Sequence, residues 1–342
     1  MIDHKKFLQL FANSPNPLSR VQLFGKNDKE LPAKHPKSEI KVIEHGPTKL
    51  TIIINPGEKE VLFLQSNYSF HPVHLEDITS TIQRPKIDEE ENYIFMVIHI
   101  PDISRKTGKL ISKEVDFFLT ENEVVVVLDE MMPAVEELLD KFEKSRRVRK
   151  EYFLHGPGFL LYQLIDTLVD SVFPLLERFE HGIEIIDQEV FSKESRNVAE
   201  QISFLRRNII FAKTLIKPEL NSFQRIEESQ HKLIEKNLLT YFSNITDHLK
   251  KIWDQLEDIQ ELTDNLSATF EGYISFRTNE TIKVLTIISV VMLPLNLLAG
   301  IYGMNLAFLP FAQHEFALVF ITLTMVVIVS GMLAFFRNKR WI

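Results

Sequence analysis

The chain contains no cysteine in 342 residues, which excludes a disulfide framework and a thiolate-bound zinc centre, and only weakly indicates a reducing compartment. No apolar stretch of signal-peptide length follows the start, MIDHKKFLQLF, so the bulk of the chain is expected to stay in the cytoplasm. No glycine-rich phosphate loop and no nucleophile arrangement occurs, so ATP-driven pumping and covalent catalysis have no support and the protein is read as a non-enzyme. Basic residues are outnumbered, 39 against 47 acidic ones for a net charge of −8, which disfavours nucleic acid as a partner. The run Arg146, Arg147, Arg149 and Lys150 is then a solvated surface, and paired acids such as Glu184 and Asp187 belong to an exposed helix face.

Charge is absent from two long stretches. Residues 284–302, VLTIISVVMLPLNLLAGIY, and 316–336, FALVFITLTMVVIVSGMLAFF, carry none, and each has about the 20 residues needed to cross a bilayer. Arg277 and Lys283 precede the first, and Arg337, Lys339 and Arg340 follow the second, whereas the connection from Gly303 to Glu315 has no Lys or Arg. The positive-inside rule then puts both termini in the cytoplasm, with the partner of these spans being the lipid bilayer of the plasma (inner) membrane.

Upstream, residues 1–39 are irregular and rich in Pro and Lys, and 40–237 read as a cytoplasmic α+β domain. Its β-type runs are KLTIII, EVLFL, NYIFMVIHI and EVDFFLTENEVVVVLDE, the last a hairpin turned at Thr120 to Glu123. Helical stretches include HPVHLEDITSTI and the segment after Pro133. From Gly158 to Lys217 the pattern is helical, and no proline separates Pro218 from Pro294. Leu238, Phe242, Ile245, Leu249, Ile252, Leu256 and Ile259 form a 4-3-4-3 seam, continued with one slip by Leu262, Leu266, Phe270 and Tyr273. The expectation is one stalk helix over 238–302, on the order of 95 Å long; the alternative is a soluble helix that ends at Gly272. A loop (303–315), a second transmembrane helix (316–336) and a basic tail (337–342) complete the chain.

Two spans cannot enclose an aqueous path, so transport requires an oligomer. The first span carries its polar residues on one side: Asn279, Thr286, Ser289 and Asn296 follow intervals of 7, 3 and 7, in a ladder with Ile282, Leu293, Gly300 and Gly303. Asn in hydrocarbon needs a partner helix or water, so Asn296 is expected to face the interior of an assembly; interhelical hydrogen bonding alone is the plainer alternative. The stripe holds no acid. Amide, hydroxyl and carbonyl rings suit an ion that keeps much of its water, as Mg²⁺ does, and rings of Ile282, Leu285 and Leu293 would close by dewetting.

Tyr302, Gly303, Met304 and Asn305 at the outer end of this span resemble the YGMN signature of the CorA family of magnesium transporters and channels. KVLTIISVVMLPLNLLAGIYGMN, the terminal RNKRWI, and HPVHLEDI with IQRPKIDEEENYIF resemble the family too, so the likeness runs from about residue 70 to the end. It implies a homopentamer with an α/β/α-layered cytoplasmic domain, a long stalk helix continuing into the pore-lining span, and a second span outside it. Gly303, Met304 and Asn305 would form the selectivity entrance, and Asn279, Ile282, Leu285, Ser289, Leu293, Asn296 and Gly300 would face the pore. Mg²⁺ would be both substrate and regulatory ligand, with Co²⁺ and Ni²⁺ as further cations. Regulatory ions would bridge cytoplasmic domains through Glu76, Asp77 and Asp166; the stalk partner, an acid in the family pattern, is Asn244 here, with Asp247 one turn away as a substitute.

The loop LAFLPFAQHE departs as well, holding only Glu315 beside His314, which loosens the choice among Mg²⁺, Co²⁺, Ni²⁺ and Zn²⁺. The cluster His71, His74, Glu76 and Asp77 resembles a zinc set, but Pro72 makes the segment a helix start, where acids cap backbone N–H groups. The alternatives carried forward are a transition-metal transporter of the same superfamily and a two-span signalling or scaffolding protein.

Overall fold

The computed structural model describes residues 38–80, 83–104, 107–191, 195–234, 236–304 and 316–341. The chain divides between Ser267 and Ala268 into two compact units. In the first, six strands form one sheet in the order β1-β2-β6-β5-β4-β3. These are β1 (Glu39–His45), β2 (Thr48–Ile54), β3 (Lys86–Glu90), β4 (Tyr93–Ile103), β5 (Leu110–Leu119) and β6 (Glu123–Leu128). All neighbours are antiparallel except β2 and β6, which run parallel with Ile52 opposite Val126. The expected hairpin joins β5 to β6, closed by Thr120 N–H donating to the Glu123 carbonyl at 2.9 Å.

β6 is buried on both faces, so its valines read as an unbroken apolar run: all six residues of EVVVVL are buried. One face is covered by α1 (Glu58–Asn67) and α2 (Pro72–Asp77), whose Leu64, Leu75 and Ile78, with Phe70, pack on Phe95, Phe118 and Val125. Then follow α3 (Pro133–Lys144), α4 (Arg146–Leu154), α5 (Pro157–Asp170), α6 (Phe173–Glu189) and α7 (Ser195–Ile226), of which α4, α5 and α7 contact the sheet.

The run EVLFL, expected to be a strand, is part of α1. Gly57 N–H donates to Glu60 Oε2 at 2.9 Å and Gly57 carbonyl accepts from Glu60 and Val61, so the segment starts as a capped helical turn. Leu64 then turns inward while Leu62 stays exposed. A short apolar run does not distinguish the two states by periodicity.

Helix α8 runs without a break from Lys236 to Tyr302, through Gly272 and Pro294. Its seam from Leu238 to Ile259 is buried against the chain's own helices: Lys213 Nζ on α7 donates to Gln260 Oε1 at 2.9 Å, and Arg206 pairs with Asp264 at 3.0 Å. Leu262 is half exposed, and the 4-3 spacing continues instead through Thr263, fully buried with its hydroxyl on the Ile259 carbonyl at 2.8 Å, to Leu266. The slip read from the sequence is a polar residue in register.

Helix α9 (Ala317–Asn338) belongs to the second unit. By length and composition three helical stretches among the described residues could cross a membrane. Residues 157–189 are apolar because α5 lies on the sheet, with Leu160, Leu161, Leu164 and Ile165 buried, whereas no residue in the most apolar windows of α8 and α9 is fully buried.

Candidate functional site: a solvent-facing stripe and an acidic cluster

In the second unit most of the apolar half of α8 is exposed, Val284, Ile288, Val290, Met292, Leu297 and Ile301 included. Ile287, Val291, Pro294, Leu298 and Tyr302 are partly covered. Asn279, Ile282, Leu285, Ser289, Leu293, Asn296 and Gly300 are all exposed, Leu293 by 69%. Thr286 stands apart: it is partly covered, its hydroxyl donates to the Ile282 carbonyl at 2.8 Å, and it lines an apolar cavity shared with α9.

Gly303 ends the helix, its N–H donating to the Ala299 carbonyl at 2.8 Å. A Cβ at Gly303 would come within 2.9 Å of that same backbone oxygen, so a side chain there forces the terminus open. Met304 N–H donates to the Ile301 carbonyl at 3.3 Å, and Asn305 and the loop after it lie outside the described residues.

In the first unit, His71 caps α2 by accepting from Val73 N–H at 3.2 Å. His74 is buried, with Nδ1 2.8 Å from the Tyr93 hydroxyl and Nε2 3.4 Å from Asp88. Burial, aided by the Lys86 charge, lowers its pKa and favours the neutral ring. Both histidines thus have structural tasks. Glu76 faces outward while Asp77 faces in and pairs with Lys86 Nζ at 2.7 Å; Lys86 also reaches Asp88 at 2.9 Å. Burial alone would lower the Lys86 pKa, but the hydrogen bonds to Asp77 and Asp88 outweigh it and hold it raised.

Asp77 also acts electrostatically on two acids of β5 that the sequence reading did not single out. Burial pushes Glu114 up to about 7, with help from Asp129 and Asp77, and drives nearly inaccessible Asp116 well above the usual carboxylate range. Their alternation along β5 was the available signal, but not their depth.

Asp166 on α5 faces α8. Asn244 Nδ2 donates to Asp166 Oδ1 and to the Tyr162 hydroxyl, each at 3.3 Å. His248 Nδ1 lies 2.9 Å from Asp170 and 3.6 Å from Asp166. Asp166, Asp170 and His248 are the one group of three among the described residues whose donor atoms gather closely enough for a single cation. Burial and the neighbouring Asp170 raise the Asp166 pKa against the pull of His248 and Asn244. Asp247, the expected substitute, points to solvent and pairs with Lys250 at 3.3 Å. Asp170 and His248 were missed, although each follows a noted residue by one helical turn.

Comparison with known proteins agrees with this architecture. The family model "CorA-like Mg2+ transporter protein" matches residues 52–340. The cobalt/magnesium transport protein CorA of Thermotoga maritima is 30% identical over 275 residues, 80% of this chain and 78% of that one. The zinc transport protein ZntB of Yersinia enterocolitica is 23% identical over 219 residues, 60% of this chain and 66% of that one. The complete structure of the CorA magnesium transporter from Methanocaldococcus jannaschii superposes with a TM-score of 0.78 at 18% identity, over 88% of this chain and 93% of that one. With a sheet-and-helix domain, a long helix, a terminal apolar helix and a family match over most of its length, this chain belongs to the CorA family of membrane divalent-cation transporters, and is not an enzyme.

Proposed function

We propose that the chain forms a homopentamer in the plasma membrane, with both termini cytoplasmic, through which Mg²⁺ flows inward down its electrochemical gradient, and with it Co²⁺ and Ni²⁺. The observation that carries this is the exposed stripe on α8. Exposure is shared by most of this span, so polarity is what marks the stripe: Asn279, Ser289 and Asn296, exposed at 3-4 spacing on an apolar helix, call for water or a second copy. The name of the Thermotoga relative supports magnesium and cobalt as cargo.

In this reading residues 40–237 form the cytoplasmic body, 238–302 the stalk and pore helix, 303–315 the outer loop, 316–336 the outer span and 337–342 the tail. Asn305 would meet the hydrated ion in a ring, with Gly303 and Met304 setting the backbone around it. Rings of Asn296 and Ser289 would offer neutral oxygens to an ion that keeps its water shell, and Leu293, Leu285 and Ile282 would interrupt the water column when the helices close.

Intracellular Mg²⁺ would gate the pore by neutralising facing carboxylates of adjacent copies, Glu76 and Asp77 on one side and Asp166 on the other; its loss would let them repel. The Asn244 amide contributes no charge, and Asp247 pairs with lysine, so Mg²⁺ sensing is weaker than an acid at position 244 would give.

The test is ion uptake into proteoliposomes. Saturable Mg²⁺ uptake that Asn305→Ala abolishes and the pair Ser289→Leu, Asn296→Leu blocks, with pentamers intact, is the expected result. The ZntB relationship keeps a second reading in play, zinc transport; Zn²⁺ uptake with little Mg²⁺ uptake selects it. No flux of any ion selects the scaffold.

A further inference from the structure

The cavity between α8 and α9 in the second unit has a volume of about 440 Å³ and is lined by Thr286, Val290, Gly331, Met332, Phe335 and Phe336, with Trp341 at its edge. The lining is almost wholly apolar and the Thr286 hydroxyl proton is already used on the Ile282 carbonyl, so water entering the cavity would gain few hydrogen bonds. An apolar occupant fits. Gly331 opens the wall: a Cβ built there meets no atom within 4 Å.

The end of α9 turns back over this space. Arg340 takes a left-handed backbone at φ +58°, Trp341 N–H donates to the Phe336 carbonyl at 2.9 Å, and the Trp341 ring stacks on Phe336 at 5.8 Å between centroids. This is a helix-terminating turn closed by an apolar contact. A non-glycine residue rarely adopts that backbone. Around it Arg337, Lys339 and Arg340 are exposed, and none makes an ion pair with a described residue. An apolar slot beside a tryptophan, with three cations in the chain between Phe336 and Trp341 that form no ion pair among the described residues, is complementary to one kind of molecule.

We propose that this cavity binds an anionic glycerophospholipid, with one acyl chain between α8 and α9 beside Gly331 and the phosphate headgroup on Arg337, Lys339 and Arg340. The site rests on the membrane-spanning assignment and not on which ion is carried. The lipid then ties the two helices together at the level of Thr286, one face away from the exposed stripe.

Native mass spectrometry of the full-length protein in mild detergent tests it, with phosphatidylglycerol or phosphatidylcholine added after delipidation. The wild-type protein retains phosphatidylglycerol in preference to phosphatidylcholine. Gly331→Leu, whose side chain fills the slot, loses that retention. Arg337→Gln combined with Arg340→Gly, which removes two charges while glycine keeps the left-handed turn, weakens phosphatidylglycerol binding by roughly tenfold or more. Equal retention by wild type and Gly331→Leu, or no preference for the anionic lipid, overturns the proposal. So does a benzophenone on Met332→Cys, the sole cysteine of that variant, that couples to a second chain instead of to lipid. Ion uptake measured on the same variants is a separate readout, so absence of lipid binding with flux intact rejects this site alone.

Discussion

Glu219 on α7 accepts the N–H of His99, a β4 residue beyond the last pair that β3 makes, Lys86 with Val97. Full burial raises its pKa to about 8, partly offset by that hydrogen bond. A folded-state pKa above the unfolded value contributes stability that is complete at low pH and is lost as pH rises towards 8. Glu219→Gln keeps the accepting oxygen without the titration, so its melting temperature should exceed that of the wild type at pH 8 and converge with it near pH 5. The difference should grow by up to about 1.4 kcal/mol per pH unit between those limits. Lys86 offers a second test, because its ammonium occupies the Asp77 carboxylate proposed to meet Mg²⁺. Lys86→Gln should lower the Mg²⁺ concentration that protects the protein from limited proteolysis; an unchanged midpoint would remove Asp77 from the regulatory set. Residue types were readable in the sequence, but partners were not. Asp166 and Asp170 share a helix face by spacing, whereas their meeting with Asn244 and His248 depends on how α5 packs on α8.

At the scale of elements, the seam of α8 was legible because its period survives packing. Phe242 is wholly buried and lies 6.3 Å from Phe223 between ring centroids, so Phe242→Ala should cost about 3–5 kcal/mol in urea denaturation. Leu262→Ala, off the seam, should stay within about 0.5 kcal/mol. A reading by hydrophobicity alone passed over Thr263 and took its neighbour, since a threonine that satisfies its hydroxyl on its own helix is as acceptable in a core as an aliphatic residue. The reverse happened with EVLFL: apolar content suggested a strand, and the cap formed by Gly57 and Glu60 decided for a helix. β3, KIDEE, escaped notice because an edge strand, here with no fully buried residue, can carry charge along most of its length.

For the whole molecule, charge distribution predicts a topology that the absence of cysteine makes simple to test. Lys339→Cys should resist a membrane-impermeant maleimide in intact cells and react once they are opened; labelling from outside would invert the topology. Residues 157–189 are also long and apolar enough to cross a membrane, though less apolar than α9, and burial on the sheet accounts for their apolarity. The spacing of the stripe has one more consequence. Asn279, Ser289, Leu293, Asn296 and Gly300 keep to a seven-residue repeat, while an α-helix turns once in 3.6 residues, so the stripe winds around the helix by about 20° per repeat. Copies that keep it facing a common axis over three repeats must lean left-handedly around that axis. Inclination and aperture are then a single variable: a motion that straightens the bundle also rotates one end of the stripe out of the water column, so such a channel would shut by untwisting as well as by narrowing.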